Sequence, residues 1–432
     1  MTRVLVLGAS GFIGSAVAAH LAEQGCPVRA GARRPAEARR RLPAFEWVAA
    51  DFRDLTRADD WRPLLDGVEA VVNCVGVLQD GAGDSLEIAH RAGPAALFAA
   101  CEAAGVGRLI HISAVGADAA AGTAYARSKQ ATEILLAGSE LDWIVLRPSL
   151  VVGRAAYGGT ALMRGLAALP LVIPLIGGAQ RFRPVMLPDL AEAVGRLLQP
   201  GAPSRTTLEV AGPESLTLAE VLRAFRDWLG LGTAPVIAVP RALAWPVLKL
   251  GDLLGWLGWP SSLRSTSLAQ MDYYVEGDAE AWVAATGVAP RTLSQFLSAH
   301  PATSADRWYA KLYFVRPVSI AALSLFWLLT GLISLGPGYR QAIAILELGG
   351  YGRWATPVEQ GGAAFDVAMG LALLRARWTA AVATCMCVAT AGYLVAGSVS
   401  LPQLWTDPLG PWLKVIPMMA LCLFVAATED RR

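Results

Sequence analysis

The chain has 432 residues, of which 54% are hydrophobic and 17% charged, with a formal net charge of +2 and a mean hydropathy of +0.44. A soluble domain carries roughly 45–50% apolar and about 25% charged residues, so the composition is not that of an ordinary soluble enzyme. The near-neutral balance argues against nucleic-acid binding, because the densest basic stretch, Arg33, Arg34, Arg39, Arg40 and Arg41, is short and isolated.

The opening MTRVLVLGASGFIG has an apolar run, Val4 to Leu7, too short for a secretory h-region. The first half of the chain is therefore expected in the cytoplasm. Strands are predicted at 4–7, 28–32, 47–50, 70–74, 109–113 and 143–147, with helices near 12–24, 59–66, 86–104 and 124–137. Nearly all-apolar strands alternating with helices predict a parallel sheet covered on both faces. Residues 156–310 are more irregular. A strand at 207–211 is expected to join the sheet edge, and 218–229 reads as an amphipathic helix capped by Thr217. The apolar stretches 161–176 and 237–259 carry Arg164, Pro170, Pro174 and Arg241, Pro246, Lys249, Asp252. Both are poor spanning helices and read as a lid or a membrane-contacting surface.

After Arg316-Pro317 four apolar segments follow, at 318–335, 363–374, 379–397 and 412–426. The first and third approach the ~20 residues needed to span a bilayer. The second must extend toward Pro357 and so takes in Glu359 and Asp366. Short links predict a four-helix transmembrane bundle. Lys311, Arg316, Arg375, Arg377, Arg431 and Arg432 fall on one side of it, and the positive-inside rule makes that side cytoplasmic, against Arg340, Arg353 and Lys414 opposite. Glu347, Glu359 and Asp366 are suspects as intramembrane carboxylates, and the favoured reading places them at the interface. The six cysteines form no CxxC or Cys/His ligand pattern, so reduced thiols and no metal site are expected.

Four groups of residues carry chemistry. Gly8-Ala9-Ser10-Gly11-Phe12-Ile13-Gly14 follows the first strand and opens the first helix. Glycines let the backbone approach a pyrophosphate, and the helix end offers N–H groups. At the end of the second strand no acidic residue awaits a ribose 2′-hydroxyl; Arg33 and Arg34 stand there instead, which suits a 2′-phosphate and favours NADP(H) over NAD(H). Asp51, after the third strand, is placed to accept from an adenine amino group or to cap a turn. Tyr125 and Lys129 lie one helical turn apart, where a cation favours the phenolate, and Ser113 ends a strand just before them. Such a set can exchange a proton with a carbonyl or alcohol.

In these residues the chain resembles the short-chain dehydrogenase/reductase superfamily. It looks most like the atypical branch that includes the NADPH-binding complex I subunit of the 39-kDa type. The matching stretches are the GASGFIG turn, Asp51, Asn73-Cys-Val75-Gly76, His111 to Ala117, Tyr125-Ala-Arg-Ser-Lys129, Leu146-Arg147-Pro148-Ser149 and Gly212-Pro-Glu214. The resemblance implies an NADP site lined by these stretches, with Lys129 on the nicotinamide ribose and Arg147-Pro148 beside the nicotinamide. His90 departs from the pattern, standing where the superfamily often has the Asn of a catalytic tetrad. The branch also holds members that bind cofactor without known turnover. From about residue 310 the chain resembles the DoxX-like four-helix family.

The expectation is thus an α/β Rossmann core over 1–155, a substrate or lid region over 156–310, and a membrane domain over 311–432. The fold serves an NAD(P)H-dependent oxidoreductase acting on an apolar lipid, isoprenoid or quinone-related carbonyl or alcohol. The rival reading is a cofactor-holding subunit of a membrane complex. Nucleotide-sugar epimerase chemistry is a third use of the same fold. The expected setting is multi-pass in a bacterial-type inner membrane, with membrane lipid, a complex or a second copy as partners.

Overall fold

A computed structural model describes residues 3–81, 83–118, 120, 122–256, 258–259, 263–271 and 276–429. Arg431 and Arg432 of the predicted basic side lie outside the described residues. The chain forms two compact units, residues 1–253 with 261–310, and residues 254–260 with 311–432.

The first unit is built on a seven-stranded sheet. Its strands are β1 (Val4–Leu7), β2 (Val28–Ala32), β3 (Glu46–Ala49), β4 (Ala70–Asn73), β5 (Arg108–Ile112), β6 (Trp143–Pro148) and β7 (Thr206–Val210). They run in the order β7-β6-β5-β4-β1-β2-β3, and every pair is parallel. Alternate side chains explain both cores. Val4 and Val6 enter one cluster with Val17 and Leu21 of α1 (Phe12–Glu23) and with Leu190 and Val194 of the helix Leu187–Leu197. Leu5 and Leu7 enter the other, with Leu97 and Cys101 of α2 (Gly93–Ala104) and Leu136 of α3 (Ala124–Ala137). Strands apolar on both faces need cover on both faces, which is why the apolar runs read as a parallel sheet.

Chain order reverses between β4 and β1. Such a switch point opens a crevice beyond the carboxyl ends of the strands, where ligands bind in this class of sheet. Facing it are the turn after β1, the loop after β4 and the N-terminal half of α3. The stretch 161–176, expected to be one feature, divides into a helix, Gly158–Ala167, and a short strand, Ile173–Leu175. The stretch 237–259 is a helix over most of its length, α4 (Arg241–Trp256), followed by α5 (Ser265–Met271).

The second unit is helical. Its apolar helices are α6 (Ser304–Leu335, which begins in the first unit), α8 (Ala355–Leu373), α9 (Thr379–Ser400) and α10 (Pro411–Ala427); the shorter α7 (Tyr339–Leu348) was not expected. Among the described residues two helices are long and apolar enough to cross a membrane, Ser304–Leu335 and Ala376–Ser400, and only 28% of each apolar window is buried. Small residues set the helix spacing. A Cβ on Gly331 would stand 2.5 Å from the Ala363 carbonyl oxygen, and Ser324 Oγ donates to Gly370 O at 2.8 Å. Close backbone approach through Gly and Ser is the packing mode of helices in lipid. At one end of this unit Arg316 pairs with Glu429, its guanidinium lies 6.0 Å over the Trp259 ring, and Trp259 Nε1 donates to Leu374 O at 2.7 Å. These contacts bring the start of the apolar part of α6, the α8–α9 link with Arg375, and the end of α10 to one side.

Candidate active site

The turn after β1 is shaped by three glycines. Gly8 has φ +71°, a left-handed conformation that a side chain disfavours, and a Cβ there would meet the Cys74 carbonyl at 3.2 Å. A Cβ on Gly14 would stand 2.2 Å from Gly8 O, so the first turn of α1 lies directly on the strand-to-helix turn. Gly11 caps α1 without a side-chain hydrogen bond, which leaves the amides at Phe12, Ile13 and Gly14 aimed at the crevice. Ser10 at the turn is exposed. An anion of pyrophosphate type fits this cradle.

The two arginines after β2 differ. Arg33 Nη1 donates to Asp84 Oδ1 at 2.7 Å, whereas Arg34 is 82% exposed and only loosely paired with Glu37 at 3.5 Å. Asp51 accepts from both the amide and the guanidinium of Arg53, at 3.0 Å from Nε. The side-chain bond to Arg53 is the main cause holding this carboxyl below its usual range. Its geometry is that of a capped, ion-paired turn.

The wall after β4 is ordered by side chains. Asn73 Oδ1 accepts from Val75 N at 3.1 Å, and Asn73 Nδ2 meets His111 Nδ1 at 3.2 Å. A Cβ on Gly76 would come within 3.1 Å of Lys129 Nζ. His90 is fully buried on a π-turn, Ile88–Ala92, ahead of α2. Its Nε2 accepts from Val77 N at 3.2 Å, so the ring proton lies on Nδ1, which donates to Ser128 Oγ at 2.8 Å; Ser128 in turn donates to Tyr125 O. Burial, with Lys129 nearby, lowers the His90 pKa to about 3. The imidazole packs edge-on to the Tyr125 ring, 5.8 Å between centroids.

Thr123 accepts from Ala126 N and starts α3, a helix that presents Tyr125, Lys129 and Glu133 as one stripe at four-residue spacing. Lys129 is buried, and its ammonium donates to Ile112 O at 3.0 Å. Burial lowers its pKa to about 8, against a raising influence from Glu133. Tyr125 departs from the sequence reading: burial pushes its phenol up to about 12. Desolvation, rather than the neighbouring cation, dominates the phenol.

Ser113, buried at the end of β5, donates to Glu133 Oε1 at 2.5 Å. Arg147 of β6 donates to the same carboxylate from Nε at 3.0 Å and from Nη2, and Pro148 beside it is buried. Sequence reasoning missed Glu133, although its spacing four residues beyond Lys129 was a usable signal. Asp84 and Gln270 were also missed. Gln270 of α5 accepts from Thr123 Oγ1 at 2.6 Å. The Gln79 amide, turned so that its NH2 donates to Thr266 Oγ1 at 2.9 Å, also accepts from Arg264. Thus α5 bridges the loop after β4 and the start of α3. Among the described residues no group of three or more His, Cys, Asp or Glu is arranged to hold a metal, and the six cysteines are free thiols.

Comparison with known proteins agrees with this architecture. Residues 8–165 match the family model described as NAD(P)H-binding, and residues 324–423 match the DoxX-like family. The chain thus carries an NAD(P)H-binding Rossmann domain in its N-terminal part and a DoxX-like domain in its C-terminal part. The chain is 27% identical over 254 residues to the mitochondrial NADH dehydrogenase [ubiquinone] 1 alpha subcomplex subunit 9 of Arabidopsis thaliana, covering 55% of this chain and 62% of that protein. It is 24% identical over 219 residues to the 40 kDa subunit of NADH-ubiquinone oxidoreductase of Neurospora crassa, covering 50% of this chain and 57% of that one. The chain therefore spans about three-fifths of the length of these two relatives. Among solved structures, an NADPH-dependent quinone oxidoreductase from Escherichia coli complexed with NADPH superposes with TM-score 0.54 at 21% identity, covering 69% of this chain and 99% of that one. A Bordetella bronchiseptica enzyme in complex with NAD+ gives TM-score 0.52 at 19% identity, covering 69% and 97%. These likenesses establish the fold.

Proposed function

We propose that the chain is an NADPH-dependent reductase of a carbonyl group on an apolar, lipid-borne substrate. Tyr125 and Lys129 share one stripe of α3, the Lys129 ammonium bonds the Ile112 carbonyl just before Ser113, and Lys129 Nζ faces Gly76 in the loop after β4; this arrangement supports the reading. The exposed Arg34, assisted by Arg33, suits a 2′-phosphate and so NADPH, with the α1 amides on the pyrophosphate and Asn73, Val75, Gly76, Arg147 and Pro148 walling the crevice. When bound, the nicotinamide supplies hydride; the protein positions it.

A phenol near pKa 12 is protonated at neutral pH. Tyr125 therefore acts as the acid that gives its proton to a carbonyl oxygen, which favours reduction over oxidation. With a pKa near 8, Lys129 is still an ammonium at neutral pH, and it stabilises the phenolate that forms. Because the Ser113 proton points to Glu133, Ser113 offers lone pairs and holds the product hydroxyl as acceptor. The apolar outer faces of α6 and α9, the basic residues gathered at one end of the second unit and the DoxX-like match support a multi-pass anchor in a bacterial-type inner membrane with the Rossmann domain in the cytoplasm.

The decisive experiment titrates NADPH and NADH by nucleotide fluorescence on detergent-purified protein, then follows NADPH oxidation against quinones and lipid carbonyls. Tyr125→Phe is expected to abolish turnover and leave NADPH affinity nearly unchanged. A second reading, a cofactor-holding subunit of a membrane complex, draws on the Ser113 proton and one Lys129 hydrogen being engaged by protein atoms and on the complex I relatives. Tight NADPH binding with no oxidation by any acceptor would select it, and no binding of either nucleotide would refute both.

A further inference from the structure

The helix α4 is apolar on two sides. Ala244 and Leu248 are buried, while Leu243, Trp245, Val247, Leu250 and Leu253 point outward, each more than half exposed and Leu243 at 71%. A helix with apolar residues on both faces needs a second apolar neighbour. Its polar groups show which kind. Lys249 lies 4.7 Å over the Trp245 ring, and Arg241 opens the helix. Cations and a tryptophan bordering an apolar stripe are what a helix carries when it lies in an anionic lipid interface.

Chain continuity points the same way. The residues that directly follow, 254–260, group with the DoxX-like unit, where Trp259 donates to Leu374 O and stacks with Arg316 at the end that also carries Arg375. A basic end rich in Trp is where a membrane bundle meets the headgroups. Asp252, which also pairs with Lys249 at 3.5 Å, accepts from Ser265 N at 3.2 Å and from Ser265 Oγ at 2.7 Å, which fixes the start of α5. In turn, α5 bridges Gln79 and Thr123 over the Tyr125 helix.

We infer that the outward face of α4 seats in the headgroup–acyl boundary of a bilayer, with α5 hung from it as a cover, so that an apolar substrate reaches the Tyr125 cleft from the lipid. The docking stands on the helix itself, whereas the substrate route rests on the proposed reductase function. The test uses the full chain in nanodiscs of phosphatidylethanolamine and phosphatidylglycerol, with the photo-reactive p-benzoylphenylalanine in place of Leu250. Irradiation is expected to give a phospholipid adduct, seen by mass, that is absent when the same probe replaces the exposed Arg196. A crosslink to a second copy, or a lipid yield at 250 no higher than at 196, overturns the inference. With the probe at Val247, the double change Leu243→Asp and Leu250→Asp should cut the adduct by about tenfold, since charged side chains resist the acyl region; an undiminished yield also overturns it. NADPH titration certifies that this variant is folded. Lipid adducts without NADPH oxidation by any acceptor would keep the docking and remove the reductase. Oxidation without adducts would do the reverse.

Discussion

Replacing Glu133 by Gln tests the core of the site. The carboxylate is buried and takes three donors, Ser113 Oγ at 2.5 Å, Arg147 Nε at 3.0 Å and Arg147 Nη2. A glutamine has one acceptor oxygen. With that oxygen in the Oε1 position, the NH2 faces Arg147 Nη2, donor against donor. With it in the Oε2 position, the NH2 faces Ser113 and lies against Arg147 Nε. Either way one charge-assisted bond and the ion pair are lost. Arg147 keeps 26% of its side chain exposed and is partly rescued by water, so the loss lies below that of a fully buried pair, at about 2–3 kcal/mol. That corresponds to a fall in Tm of roughly 5 °C or more, followed by tryptophan fluorescence on heating in detergent. The double variant with Arg147→Gln should be less destabilised than the two single changes added together. Unchanged melting of Glu133→Gln, or strict additivity in the cycle, would refute the claim that this carboxylate organises Ser113 and Arg147.

Three further outcomes follow from the same geometry. Arg34→Glu should weaken NADPH by roughly 10- to 100-fold, the worth of one bond to a charged phosphate, while NADH affinity barely moves; equal losses for both nucleotides would remove Arg34 from the 2′-phosphate. Lys129 has its pKa lowered from 10.5 to about 8, so between these pH values the unfolded chain holds a proton that the folded chain lacks. Stability should therefore rise with pH across that window, by at most about 1.4 kcal/mol per unit from this group, and Lys129→Met should flatten the rise in a melting series. Gly14→Ala sets a methyl against Gly8 O, where only 2.2 Å is free; nucleotide titration should show binding abolished or weakened by at least about tenfold, as expected when a phosphate cradle is forced open.

Much of the first unit was legible because its signals are local. Apolar runs of four or five residues and a glycine turn between strand and helix need no tertiary information, and β1 and β2 lie where the pattern places them. The expected edge strand is also found, as β7. Electrostatic partners were less legible. Asp84 lies 51 residues from Arg33, and nothing between them marks the pair. The expected effect of Lys129 on the Tyr125 phenol rested on helical spacing alone, which cannot register that the ammonium also donates to the Ile112 carbonyl or that burial raises the phenol. In the second unit, α8 begins at Ala355, just past the extension toward Pro357 that spanning length demands, because Pro357 sits in the first turn, where a missing N–H costs nothing. The amphipathic α7, with Arg340, Gln341 and Glu347, was hidden by a search tuned to unbroken apolar runs.

The hydrogen-bond chain through His90 has a fixed polarity. It starts on a backbone amide, Val77 N–H, passes through the Nε2 and Nδ1–H of His90 and the hydroxyl of Ser128, and ends on the Tyr125 carbonyl. An amide cannot release a proton at one terminus, and a carbonyl cannot usefully take one at the other. With its pKa near 3, the imidazole does not charge at neutral pH. The His90 carbonyl already accepts from Thr132. This array is thus an insulator: it clamps the loop after β4 to the Tyr125 helix and conducts nothing. A proton that replenishes the phenol therefore does not travel through His90.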